Sequence, residues 1–130
     1  MRALLPADIR APFGNCAHGI EVAAQCRLVQ TGQLGVRADD TVPQDALSQA
    51  RICFENIRAI LAAADMGPGH VIHLRAYVTD RAHMAAYMQA RDAFLGERAV
   101  LPTSTLLIVS GFTRPEFKVE VEALAAAPDV

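Results

Sequence analysis

The chain has 130 residues with a formal net charge of −2, and it is 52% hydrophobic and 20% charged. This describes a single domain over residues 1–130, too apolar to be disordered and long enough to bury a core without disulfide or metal staples. The 12 Lys and Arg are scattered singly, which argues against nucleic acid or a membrane surface as partner, because both require clustered basic residues.

The opening, MRALLPADIRAP, is broken by Pro6, Asp8 and Pro12, and no apolar run approaches the length that crosses a bilayer. No signal segment is expected, and the expected location is the cytoplasm. Cys16, Cys26 and Cys53 are odd in number and lack C-x-x-C spacing, as in a reduced intracellular chain.

In chain order, Met1–Leu5 and Gly19–Val22 read as short strands. Cys26–Thr31 reads as a longer one ending at Gly32, with a further extended piece at Leu34–Val36. A helix is predicted over Pro43–Asp65, opened by a Thr41 cap with Gln44 three residues on, and stopped by Gly67-Pro68. Leu47, Ala50, Phe54, Ile57 and Leu61 form its apolar stripe, and Cys53 lies beside it as core.

His70–Thr79 is a strand with Ile72, Leu74, Ala76 and Val78 on one side and His73, Arg75, Tyr77 and Thr79 on the other. Asp80 caps a second helix over Arg81–Leu95, in which Met84 and Met88 are packing residues, and Gly96 ends it. Two apolar runs follow, Thr103–Val109 and Glu116–Ala125, separated by a turn around Gly111, Thr113 and Pro115. They read as a C-terminal hairpin. In the second run Phe117, Val119, Val121 and Ala123 alternate with Lys118, Glu120 and Glu122, the period-two pattern of a strand between unlike environments.

Helices separated by strands demand crossovers, so the expected fold is α+β with a mixed sheet and both helices on one face. The other face is expected to carry His73, Arg75, Tyr77, Lys118, Glu120 and Glu122, with Val29 and Thr31. A half-polar face of this kind suits burial by copies of the same chain in a closed symmetric oligomer. Arg75 would then be desolvated and would require a carboxylate or an anionic ligand.

Over essentially its whole length the sequence resembles the RidA/YjgF (YjgF/L-PSP, L-PSP endoribonuclease-like) family. The residues that carry the resemblance are PFGNCAHGIEV, VQTGQLGV, QARICFENIRAILAAADMG, VIHLRAYVTD and KVEVEALA, in this order and spacing. The resemblance implies a chorismate-mutase-like fold and a homotrimer with a central β-barrel, with ligand clefts between subunits. It also implies cofactor-independent hydrolysis of reactive imines or enamines to a keto acid and ammonia.

By the same resemblance the family glutamate falls on Glu120, the hydroxyl residue on Thr31 and the loop glycine on Gly32. Two positions depart from the deaminase pattern. Ser104 stands where the carboxylate-gripping arginine is found, and Cys16 replaces the loop tyrosine, as in an arginine-lacking subgroup. A serine hydroxyl cannot reproduce a bidentate guanidinium fork.

Glu120 and Thr31 are therefore the candidate catalytic residues. Ser104, Arg75, Gly32, Cys16, His18 and Arg114 are the candidate substrate-binding residues. Arg75 reads equally as a replacement anchor or as an inter-subunit salt bridge. His18 and Cys16 have structural readings too, and Cys16-x-His18 lacks the second pair that a metal site needs. The function read from the sequence is hydrolytic deamination of a small imine or enamine. The alternative is a non-catalytic trimeric metabolite-binding protein. A ribonuclease reading is disfavoured by the charge.

Overall fold

A computed structural model describes residues 1–128 of the chain. Four strands form the main sheet: β3 (Cys26–Leu34), β4 (Val71–Val78), β5 (Thr103–Ile108) and β6 (Val119–Pro128), in the order β3-β6-β4-β5. The β4–β5 pair is parallel and the other two pairs are antiparallel, so the sheet is mixed, as expected. A separate ribbon pairs β1 (Arg2–Leu4) with β2 (Gly19–Glu21). Helices α1 (Ala46–Ala63) and α2 (Met84–Leu95) share one core with the sheet, in which Phe54, Ile57, Leu61, Tyr87 and Phe94 meet Leu74, Val78, Val119 and Val121.

The predicted hairpin does not form. β5 and β6 are consecutive in sequence, but β4 lies between them. The reason is burial: Val119, Val121, Ala123, Ala125 and Ala127 are all buried, so β6 takes a central position with a neighbour on each side. β5, which leaves Leu107 and Ile108 exposed, goes to the edge. It follows β4 through α2, and such a crossover returns the chain parallel to the strand it left.

Two face assignments also change. Thr31 pairs with Ala123 and Val29 with Ala125, and directly paired residues share a face. Both therefore point toward the helices, and Leu28, Gln30, Gly32 and Leu34 occupy the bare face. A bulge between Val71 and His73 drops Ile72 out of the β4–β6 register. Val71 consequently takes the buried place expected for Ile72.

The first helix starts later than predicted. Its cap is Asp45, whose carboxylate accepts from the Ser48 N–H at 2.8 Å, while the Thr41 hydroxyl is taken up by Asp39. The helix ends before Gly67, where Asp65 adopts φ 56° and the Met66 N–H closes on the Leu61 carbonyl at 2.9 Å. Asp80 does cap the second helical segment, accepting from the Ala82 N–H at 2.8 Å; that segment opens with a 3₁₀ turn over Arg81–His83 before α2 begins.

Gln49 is wholly buried on α1 and joins three segments. Its amide donates to the Pro43 carbonyl at 2.8 Å and the Glu116 carbonyl at 2.9 Å, and its oxygen accepts from the Lys118 N–H at 2.8 Å. It thereby sets the entry of β6, two residues before Glu120. Gly35 lets the chain pass close by: a Cβ there would lie 2.6 Å from the Gln49 Cα.

Candidate functional site

The N-terminal loop runs beside the free edge of β5 and is tied to it by the Ala17 N–H, which donates to the Pro102 carbonyl at 3.0 Å. Between loop and sheet lies a cavity of about 570 Å³, walled by Arg10, Phe13, Cys16 and His18 and floored by His73 and Thr103–Thr105. Arg10 stacks over Phe13, its guanidinium carbon 3.7 Å from the ring centre. Phe13 itself is 91% exposed at the rim.

The floor follows from the β4–β5 register. Thr103 pairs with His73 and shares its face, whereas Ser104 pairs with buried Leu74 and turns toward the helices. There Ser104 approaches Tyr87 of α2, whose phenol is pushed up to about 12 by burial. On the opposite side His73 Nδ1 lies 2.7 Å from the Thr103 hydroxyl oxygen. Burial lowers the His73 pKa, and the neighbouring Arg75 charge lowers it further.

A second cavity, about 160 Å³, opens on the bare face between Gln30, His73, Arg75, Glu122 and Leu124. Beside it the Tyr77 hydroxyl donates to the Glu122 carboxylate. That contact is the main cause of the raised Tyr77 pKa. Glu120, one step along β6 on the same face, is half-buried, and desolvation first, then the Glu122 charge, raises its pKa.

The structure thus distributes the expected residues over several places. Cys16 and His18 come together in the large cavity, and Ser104 borders it with its side chain directed toward the helices. Arg75 is exposed in the isolated chain and lines the smaller cavity. Gly32 pairs with Glu122 on the bare face, and the Thr31 hydroxyl is buried toward the helices without a partner. Glu120 lines neither cavity. Arg114 sits apart, near Phe112 and Lys118, paired with Glu116 at 2.6 Å and Asp40 at 3.0 Å; the Glu116 contact, then Asp40, raises its pKa.

Arg10, His73 and Thr103 are cavity residues that the sequence reading did not single out. Period-two alternation did place His73 on the polar face, but its meeting with Thr103 depends on parallel pairing of β4 and β5, which the expected hairpin concealed. Among the described residues no three of His, Cys, Asp and Glu gather as metal ligands. No described helix is long and apolar enough to cross a membrane.

The fold and the sequence both have relatives. TdcF of Escherichia coli (strain K12), named as a reactive intermediate deaminase, is 29% identical over 120 residues, covering 89% of this chain and 91% of that protein. The 2-iminobutanoate/2-iminopropanoate deaminase of the same strain is 27% identical over 117 residues, covering 88% and 89%. Among solved structures, the Rid-family protein YyfB from Yersinia pestis superposes with a TM-score of 0.81 at 25% identity, covering 97% of this chain and 98% of that one. E. coli TdcF with bound serine gives 0.71 at 27% identity, covering 87% and 94%. Residues 10–127 match the family described as Endoribonuclease L-PSP, and with deaminase relatives along nearly the whole chain, the protein belongs to this L-PSP/RidA family.

Proposed function

We propose that the chain hydrolyses a reactive imine or enamine to a carbonyl compound and ammonia, in a cleft that a neighbouring copy completes within a cytoplasmic homotrimer. The observation that carries this reading is the large cavity between the N-terminal loop and β5. It brings Cys16 and His18 beside the Ser104 segment, in a chain whose relatives include one named as a reactive intermediate deaminase and one named as a 2-iminobutanoate/2-iminopropanoate deaminase. A relative solved with serine bound supports a small polar ligand.

Within one protomer Glu120 lies outside the cavity, on the face with exposed Leu28 and Leu107. A central barrel packed through that face would bring the carboxylate of one copy toward the cavity of the next, where it would orient the attacking water. His18 at the cavity and the backbone of Gly32 on the bare face would supply hydrogen-bond donors, since the Thr31 and Ser104 side chains face the helices. Ser104 takes the place of the family arginine, so the cation must come from elsewhere. Arg10 lines the cavity and is the nearest substitute, Arg75 is the next, and Arg114 is already held by two carboxylates. RNA remains disfavoured by the net charge of −2.

The test is the release of keto compound and ammonia from imines generated in situ, with and without a carboxylate. Slow turnover of 2-iminopropanoate is expected, with faster turnover of imines that need no carboxylate anchor, and loss of both in Glu120→Gln. Saturable binding of these acids without acceleration of any imine would instead establish the metabolite-binding reading, which the serine at the arginine position favours.

A further inference from the structure

His73 lines both cavities, and no other described residue does. Its ring is held through Nδ1. The Thr103 hydroxyl oxygen lies 2.7 Å from that nitrogen and 3.1 Å from the carbonyl oxygen of Ile72, the residue bulged out of the β4–β6 register. A hydroxyl has one proton to give, and a carbonyl can only accept. Donated to Ile72, that proton makes both contacts hydrogen bonds and obliges Nδ1 to carry the ring proton. Donated to Nδ1, it leaves two oxygens facing each other through their lone pairs. The first arrangement satisfies every group, so Nε2 is the nitrogen with the free lone pair, and it makes no hydrogen bond within the described chain.

The surroundings disfavour the charged form of this ring. Burial acts first and Arg75 on the same strand second, both against the imidazolium, while Glu122 on β6 and then the Thr103 backbone act the other way. From β5 the neighbour is Thr103, and across the large cavity stand Arg10, Cys16 and His18 of the loop.

We propose that His73 is the proton acceptor of this cleft: its Nδ1–H is anchored on Thr103, and its Nε2 accepts a proton from the ligand or from the water that attacks it. Applied to the imine hydrolysis proposed above, on which this step rests, the water oxygen bonds to the imine carbon as one of its protons passes to Nε2. The C=N electron pair moves to nitrogen, which takes that proton from the imidazolium. In the second half the hydroxyl proton travels by the same route to the amine, the C–N bond breaks and ammonia leaves. A neutral imidazole with one fixed tautomer is suited to such two-way transfer.

The experiment compares wild type, His73→Gln and Thr103→Val, each checked for unchanged oligomer mass and melting temperature. Nitrogen-15 long-range NMR of the imidazoles is read at pH 7, and the His73→Gln spectrum identifies which of the 4 histidines is His73. Wild type should show the neutral Nδ1–H form, and Thr103→Val a mixture of tautomers. In turnover, His73→Gln should lower kcat by roughly 10²-fold with little change in KM and remove the acid limb of the pH profile. A protonated Nε2 or an imidazolium at pH 7, or His73→Gln turnover within about twofold of wild type, overturns the proposal and leaves imine hydrolysis standing. Should wild type accelerate no imine, the hydrolysis reading falls. Titration with serine, whose ammonium and hydroxyl groups can donate to Nε2, then decides for His73: a saturable shift of its Nε2 signal upholds the acceptor role, and an unmoved signal overturns it.

Discussion

Tyr77 and Glu120 are direct partners across β4 and β6, yet the Tyr77 phenol donates to Glu122, the next residue on the same face. One carboxylate of the pair is thereby hydrogen-bonded, and the other makes no hydrogen bond within the described chain. Glu120 is left partly desolvated beside a like charge, which raises its pKa. Holding an unbonded carboxylate there is unfavourable to folding, and it is the arrangement expected of a carboxylate kept free for a ligand or water.

The first prediction concerns its pH dependence. A carboxyl whose folded pKa lies above its unfolded value binds its proton more tightly when native, so its contribution becomes more favourable as pH falls through the raised value and is unfavourable at neutral pH. Glu120→Gln should therefore be slightly more stable than wild type at pH 7, by less than about 1 kcal/mol because solvent screens a half-exposed group. Thermal melts at descending pH should show this advantage vanishing once Glu120 protonates. A difference that grows toward acid would contradict the raised pKa.

Gln49 supports the same carboxylate from a distance. Replacing it with Leu removes the partners of the Pro43 and Glu116 carbonyls and the Lys118 N–H in a buried place. The expected loss is on the order of 3 kcal/mol, since each stranded buried group costs about 1–3 kcal/mol and some regain water. Urea denaturation of Gln49→Leu should show a lower midpoint at unchanged slope. A midpoint equal to wild type would mean that the entry of β6 is held by other contacts.

The proposed trimer is open to a direct test. Leu28 is 62% exposed on the bare face of the isolated chain, an apolar side chain that a neighbouring copy would cover. Light scattering after size exclusion should give wild type three times the chain mass of 14.0 kDa. Leu28→Lys should shift it toward the single-chain mass, because a charge would have to be buried unpaired. A wild-type mass of 14.0 kDa at micromolar concentration would remove the inter-subunit cleft and the role given to Glu120 within it.

Strong local patterns were legible without coordinates. The stripe from Leu47 to Leu61 marked α1, Asp80 and Gly96 bounded the second helical segment, and the alternation from Phe117 to Ala123 set the buried face of β6. Weak patterns misled. CRLVQTGQL offers no clean alternation, so Thr31 was expected on the wrong face, and the bulge at Ile72 is invisible in a run of β-formers. Thr41 and Asp45 both have capping side chains, and only the backbone path decides that Asp45 caps α1. Cys16, His18 and Ser104 were named from resemblance; the first two share a cavity that Ser104 borders, whereas Arg10 and His73 lie there through pairings far apart in the chain.

By itself the sequence determined the two helices and the strands around them, the helix-covered face of β6, and the family, because each depends on residues close together or on matching order. It missed that β3 continues through Gly32 to Leu34 and that a 3₁₀ turn opens the second helical segment. Tertiary structure alone decided that β6 inserts between β3 and β4, that β5 runs parallel at the edge, and hence that Thr103 meets His73. The physical reason is that strand order is chosen by competition among whole apolar faces for the centre of the sheet. No local stretch of sequence records the outcome of that competition.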